Sequence, residues 1–256
     1  VTFVVTIFLS RLLSPADFGL VGMSTIFITF TQALSNLGLT SGLIREKNPD
    51  EIQLNSVFYF NIGMATILAI IVFFSANAIS NFYHESRIEL IVKASAPLFI
   101  FNSINHVHGA LFYKKMELKV TRMGSVYSAI IAGILGIGAA FYGLGVWSLV
   151  ISTYTSNTFF TIYVWSKSSW RPSLLFSYPA LKKLFPFGIK VFFIEYIDQI
   201  FTRLDVVMIG RFFSPSTLGF YFRALSLNEI ITKYTSQSLS GIFFPTIKKF
   251  DNDKTK

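Results

Sequence analysis

Ser10–Leu20 reads SRLLSPADFGL and Gly210–Phe220 reads GRFFSPSTLGF. Arg11, Ser14, Pro15 and Gly19 of the first stretch recur as Arg211, Ser214, Pro215 and Gly219, at a constant offset of 200. Apolar pairs fill the positions between: Leu12 with Phe212, Leu13 with Phe213, Phe18 with Leu218. Further on, LTSGL at 39–43 is echoed by LSGI at 239–242, slipped by about one residue. Each stretch joins two long apolar segments, so the first and second segments resemble the seventh and eighth. An even number of crossings separates the copies, which gives both the same orientation. That is a parallel repeat about an axis along the membrane normal, a duplication typical of alternating-access transporters. A complete second copy requires four further helices, twelve in all.

Composition agrees with a membrane chain. Of 256 residues, 52% are hydrophobic and 14% charged, and the mean hydropathy is +0.57. A soluble domain carries roughly 25% charged residues. A soluble enzyme, a nucleic-acid binder, a disordered tail and a disulfide-rich module are all disfavoured. The net charge of +9 reads as basic loops of a membrane protein. With no cysteine, disulfides, thiolate metal sites and thiol catalysis are excluded.

Eight apolar segments follow one another, at about 1–13, 17–44, 54–80, 88–112, 123–144, 146–166, 184–213 and 217–247. Most are long enough to cross ~30 Å of hydrocarbon as helices. Runs such as Thr66–Phe74, TILAIIVFF, lack the alternation of a β-barrel strand. The expected fold class is therefore all-α, a polytopic transmembrane helical protein. The first segment reads as the end of a helix begun upstream, and KKFDNDKTK at 248–256 reads as a polar loop, so the chain is expected to be part of a longer one. The expected division is an N-terminal lobe over 1–166, a linker over 167–183 and the start of a C-terminal lobe over 184–256. The linker holds Pro172 and Pro179, with Trp170, Leu174, Leu175, Phe176 and Leu181 able to lie in the membrane interface. The glycines of the fifth segment, Gly124, Gly133, Gly136, Gly138, Gly143 and Gly145, are read as helix-packing positions.

The loops carry an orientation. Loops 45–53, 113–122, 167–183 and 248–256 hold 14 basic residues, and the alternate loops hold three, Arg11, Arg87 and Arg211. The positive-inside rule places the first set in the cytoplasm.

R-[LF]-[LF]-S-P-x-x-[FL]-G-[LF] after the first and seventh segments resembles the oligosaccharide flippase, or polysaccharide biosynthesis protein, family of the multidrug/oligosaccharidyl-lipid/polysaccharide exporter superfamily. Asn36-Leu37-Gly38-Leu39, the run from Asp205 to Ile209-Gly210-Arg211, and Gly219-Phe220-Tyr221 resemble it too. The resemblance covers essentially the whole chain as helices 1 to 8 of twelve or more. It implies a transporter that moves undecaprenyl-diphosphate-linked oligosaccharide across the bacterial inner membrane, for O-antigen, capsule or exopolysaccharide synthesis. The implied partners are that lipid-linked substrate, the bilayer, a polysaccharide polymerase and a chain-length regulator. Nucleic acid and a cofactor are not implied.

Intramembrane charges mark candidate sites, because each costs at least ~2.5–3.5 kcal/mol at the bilayer centre. The seventh segment holds Lys190, Glu195, Asp198, Arg203 and Asp205. At ~100° per residue from Lys190, Asp205 falls near 60°, Asp198 near 80°, Glu195 near 140° and Arg203 apart from them near 220°. That face is expected to line an interior or a charge-compensated packing seam. The eighth segment repeats the pattern with Arg223, Ser226, Glu229, Lys233, Gln237 and Ser240, and the second carries an uncharged stripe of Thr25, Thr29, Gln32 and Asn36. Glu229 and Lys233 stand in the favourable i,i+4 order; the uncharged stripe serves a substrate or interhelical hydrogen bonding equally well. Arg223, Lys190, Lys233, Arg11, Arg211, Gln32 and Asn36 are the candidate substrate-binding residues, a guanidinium being suited to diphosphate. Asp198, Asp205, Glu195 and Glu229 are candidates for cation coupling or charge compensation. Arg11 and Arg211 are as well explained as helix C-terminal caps. His106 and His108, two apart, cannot face one metal from a helix; each reads as a proton relay or as a solvated histidine near a loop.

Two alternatives remain. A drug:cation antiporter of the same fold needs an acidic or apolar cavity, and the four acidic and four basic residues of the seventh and eighth segments do not decide. A membrane enzyme of the same pathway, a polymerase or acyltransferase, needs catalytic groups on sizeable loops, and neither a nucleophile elbow nor a P-loop is present.

Overall fold

The computed structural model describes residues 2–226, and the fold over them is all-α. Glu229, Lys233, Gln237 and Ser240 lie outside the described residues, as does loop 248–256. The chain runs through α1 (Thr2–Leu12), α2 (Pro15–Asn36), α3 (Leu39–Arg45), α4 (Glu51–Tyr83), α5 (Arg87–Ser95), α6 (Leu98–Lys114), α7 (Leu118–Phe141), α8 (Trp147–Lys167) and α9 (Tyr178–Phe212). A further helical stretch occupies 215–226. Three of these helices, α2, α4 and α7, are long and apolar enough to cross a membrane. With 33 residues, α4 is about 50 Å long.

Successive turns alternate between two ends. At one, Lys114 Nζ donates to the Glu46 carbonyl, and Asn55 and Ser56 accept from the backbone N–H of Ser173 and Ser177. This end carries Arg45, Lys47, Lys115, Lys167, Lys182 and Lys183, and is called the basic end below. At the other, Arg223 donates to the Leu13 carbonyl and Arg211 to the Phe82 carbonyl.

The structure breaks two segments that the sequence reads as continuous. Segment 17–44 divides at Leu37 and Gly38, which sit at φ 44° and 70°. Asn36 Oδ1 bridges the break, accepting from Thr40 N at 3.1 Å and Thr40 Oγ1 at 2.7 Å, so it caps the first turn of α3. Segment 88–112 divides before Leu98, because Pro97 has no N–H to continue the α5 ladder. Within 167–183 only residues 168–177 are non-helical, and α9 starts at Tyr178. Ser177 caps it, and Pro179 occupies the first turn, where a missing N–H costs nothing. Of the linker's apolar residues, Leu174 is almost fully exposed and Leu181 is buried, while Trp170 packs edge-on against Phe58.

The offset-200 repeat is visible in the local geometry. Ser14 Oγ accepts from Asp17 N at 3.3 Å, and Ser214 Oγ accepts from Thr217 N at 3.2 Å. Both are N-caps followed by proline in the first turn. The two copies also touch reciprocally. A Cβ on Gly19 would meet the Pro215 carbonyl, and a Cβ on Gly219 would meet the Pro15 carbonyl. Contact of i with j and of j with i is what a two-fold relation produces. Elsewhere α7 and α8 pack antiparallel through Gly124 against Tyr163 and Gly136 against Ser152, the close approach that small residues allow. The main apolar cluster, with Leu20, Met23, Val72, Ile79, Phe99 and Val206, ties α2, α4, α5, α6 and α9 together.

Candidate functional site

Two close approaches at glycines fix how α9 lies against the N-terminal helices. Toward the basic end, a Cβ on Gly38 would meet the Gly188 carbonyl, and one on Gly188 would stand 2.9 Å from Gly38 C and O. Toward the other end, a Cβ on Gly210 would stand 2.8 Å from the Tyr83 ring and 3.2 Å from Met23 Cγ. At ~100° per residue, Gly188, Glu195, Gln199, Arg203 and Gly210 fall within an arc of roughly 80°. This is the face that α9 turns to α2.

Between the two approaches the helices separate around polar space. A cavity of about 230 Å³ is lined by Thr29, Gln32, Ala33, Asn36, Gly38, His106, Phe192, Glu195 and Gln199. A smaller one, about 80 Å³, adjoins it at Thr29 and is lined also by Thr25, Arg203, Val206, Phe222 and Ser226. The polar stripe of α2 thus faces the cavities. Thr25 and Thr29 donate their hydroxyls back to the Val21 and Thr25 carbonyls, as intrahelical hydroxyls commonly do. Asn36 Oδ1 is taken up by Thr40 and, at 3.4 Å, by Asn61 Nδ2. Gln32, Glu195 and Gln199 differ: among the described residues their side chains hydrogen-bond to nothing in the protein. The Nδ1 of His106 is buried and has no partner either.

The sequence-based candidates therefore separate. Gln32, Asn36 and Glu195 come together at the larger cavity. Lys190 and Asp198 lie on a different arc of α9; like Glu195 they are exposed in this chain. Asp205 accepts a short hydrogen bond from the Tyr221 hydroxyl and one from Val206 N at 2.7 Å. Arg223 donates to Leu13 O at 2.9 Å and lies 4.4 Å above the Phe18 ring, its Nε without a partner. Arg211 stacks 5.2 Å above Phe82, the residue whose carbonyl it bonds; Arg11, its repeat equivalent, is exposed at the end of α1. Gln199, Arg203 and Phe192 were not singled out as lining residues. Gly188 and Gly210 were the available signal, since their shared face is the one that meets α2. Neither histidine lies near a loop as a solvated group: His106 lines the larger cavity, and His108 is fully buried, its Nδ1 2.8 Å from Ser168 Oγ and its ring against Trp165 and Trp170. No three His, Cys, Asp or Glu side chains among the described residues gather as metal ligands.

A polytopic helical protein with a polar cavity between a repeated pair of helices is the class that fold and site define. The polysaccharide biosynthesis protein family matches residues 8–256, and the chain belongs to it. It is 23% identical over 254 residues to the succinoglycan biosynthesis transport protein ExoT of Rhizobium meliloti (strain 1021), covering 99% of this chain and 51% of that one. It is 24% identical over 223 residues to the teichuronic acid biosynthesis protein TuaB of Bacillus subtilis (strain 168), covering 86% and 46%. It is 21% identical over 254 residues to the lipopolysaccharide biosynthesis protein WzxC of Escherichia coli (strain K12), covering 97% and 51%. The chain thus spans about half the length of these relatives. No solved structure matches it.

Proposed function

We propose that the protein containing this chain is a transporter, not an enzyme, that flips undecaprenyl-diphosphate-linked oligosaccharide across the bacterial inner membrane. The observation that carries the reading is the unpartnered polar lining of the α2–α9 cavity. Gln32, Gln199, Glu195 and His106 Nδ1 offer donors and acceptors that take no partner among the described residues. The His106 Nδ1 is buried, and buried polar groups are normally satisfied, so it points to water or a polar ligand in the cavity, where Gln32 and Gln199 are half-buried and Glu195 is exposed. Amide side chains suit sugar hydroxyls, and Arg203 at the adjoining cavity is suited to a phosphate. The names of the relatives, which mention succinoglycan, teichuronic acid and lipopolysaccharide, support a surface glycan as cargo.

The two glycine-mediated approaches lie on either side of the cavities, so separating one while keeping the other would expose the polar space to one side at a time. The basic end is cytoplasmic under the positive-inside rule, with loops 45–53, 113–122 and 167–183 there. A polymerase and a chain-length regulator would act on the product outside. Glu195 supports a second reading, since a free carboxylate in the cavity suits a cationic drug.

One experiment tests both: the full-length protein is reconstituted in liposomes with a fluorescent polyprenyl-diphosphate glycan and, separately, a cationic dye. Accelerated translocation of the glycan supports the flippase. Dye export without glycan movement overturns it.

A further inference from the structure

A second polar cavity, of about 150 Å³, lies at the basic end where α6, α7 and α8 finish or begin, and it is separate from the α2–α9 site. It is lined by Leu111, Phe112, Lys115, Glu117, Lys167, Ser168 and Ser169. Three cations at this end have partners, whereas Lys47, Lys182 and Lys183 have none among the described residues. Lys114 donates to the Glu46 carbonyl, Arg171 to the carbonyls of Ser168, Trp170 and Trp165, and Arg45 lies over the Phe187 ring. The charged groups of the cavity are not engaged in this way. Lys115 and Glu117 have no side-chain partner among the described residues, and Lys167 has only the Tyr163 ring at 6.0 Å. Glu117 precedes α7 without capping it. The hydroxyl of Ser169 is also free, whereas that of Ser168 is held by His108. Tyr113 and Met116, next in sequence to lining residues, are well exposed, Met116 being held at φ 58° in the turn between α6 and α7.

We propose that this cavity binds the headgroup of a glycerophospholipid whose phosphodiester carries a hydrogen-bond donor, ethanolamine or glycerol. Lys115 and Lys167 take the phosphodiester anion, with Ser169 donating to it. Glu117 accepts from the headgroup amine or hydroxyl, which also keeps the carboxylate from repelling the phosphate. Tyr113 and Met116, exposed in the adjoining turn, are the apolar side chains nearest in sequence for the acyl chains to meet. Basic recesses between helices at the cytoplasmic surface are suited to lipid headgroups, and every residue of this one comes from α6 to α8 and their turns. A choline headgroup fills the same space but cannot donate to Glu117.

The test is native mass spectrometry of the full-length protein, delipidated and then titrated with phosphatidylethanolamine, phosphatidylglycerol or phosphatidylcholine. The expected result is tighter binding of the first two than of phosphatidylcholine. The double variant Lys115→Ala/Lys167→Ala should weaken the first two roughly 30-fold, while Lys119→Ala, outside the cavity, should not. Glu117→Ala should narrow the gap to phosphatidylcholine. Unchanged binding by the double variant, or no headgroup preference in the natural protein, overturns the proposal. So does complete displacement of the lipid by millimolar inorganic phosphate, which would mark a site for free anions. None of these outcomes depends on whether the protein flips glycans.

Discussion

Replacing Gly38 by alanine tests the helix approach that borders the cavity. Two costs add. Gly38 sits at φ 70°, a left-handed conformation that costs a residue with a Cβ roughly 1–2 kcal/mol. The new methyl would also run into the Gly188 carbonyl, which belongs to backbone and cannot rotate away; overpacking of this kind costs typically ~1–3 kcal/mol. The sum is about 2–5 kcal/mol. Gly188→Ala meets only the steric part, because its φ is not positive and its Cβ would stand 2.9 Å from Gly38. Gly63→Ala, in the middle of α4 with nothing within 4 Å of a new Cβ, should gain about 0.5–1 kcal/mol from helix propensity. Thermal unfolding of the full-length protein in detergent, followed by tryptophan fluorescence, should rank Gly63→Ala highest, then the natural protein, Gly188→Ala and Gly38→Ala. A Gly38→Ala protein as stable as the natural one would refute the close approach of α3 to α9.

Further outcomes are expected. Cysteine placed at Lys115 or Lys183 of this thiol-free chain should resist an impermeant maleimide in intact cells, and cysteine at Arg87 should react; labelling at 183 would reverse the proposed orientation. Glu195→Gln and Gln32→Leu should slow glycan flipping at least several-fold in liposomes while leaving the melting temperature in place, since neither side chain has a partner among the described residues; unchanged flipping would remove them from the site. Arg223→Ala should lower stability by about 1–3 kcal/mol through its lost hydrogen bond to Leu13 and its stacking on Phe18; a variant that melts normally but fails to flip substrate would show that Arg223 acts on diphosphate. Arg87 holds the Glu85 carboxyl below the usual carboxylate range, chiefly through their hydrogen bond. That pair should stabilise the folded protein above the unfolded carboxylate value of about 4.3 and cease to as pH falls through the lowered folded value. The difference in melting temperature between the natural protein and Arg87→Met should shrink over that window, and a constant difference would show that the pair contributes nothing.

Much of this fold is legible one residue at a time. Apolar segment length, loop charge and the Ser-Pro repeat are local properties, so the all-α membrane class, the order of the passes and the offset-200 N-caps follow from the amino-acid sequence. The polar stripe of α2 is legible too, because helical spacing alone puts Thr25, Thr29, Gln32 and Asn36 on one face. What spacing cannot supply is the direction in which a face points. The wheel for α9 groups Lys190, Asp198, Asp205 and Glu195, yet the face turned to α2 runs through Glu195, Gln199 and Arg203. Gly188 against Gly38, and Gly210 against Met23 and Tyr83, rotate the helix to that setting, and each contact joins residues more than 120 positions apart. The breaks at Leu37-Gly38 and Pro97 and the start of α9 at Tyr178 have local causes, in Asn36, Pro97, Ser177 and Pro179, that apolar segment length does not register. Tertiary packing decided the rotation of α9, because a glycine approach has no meaning until its partner arrives.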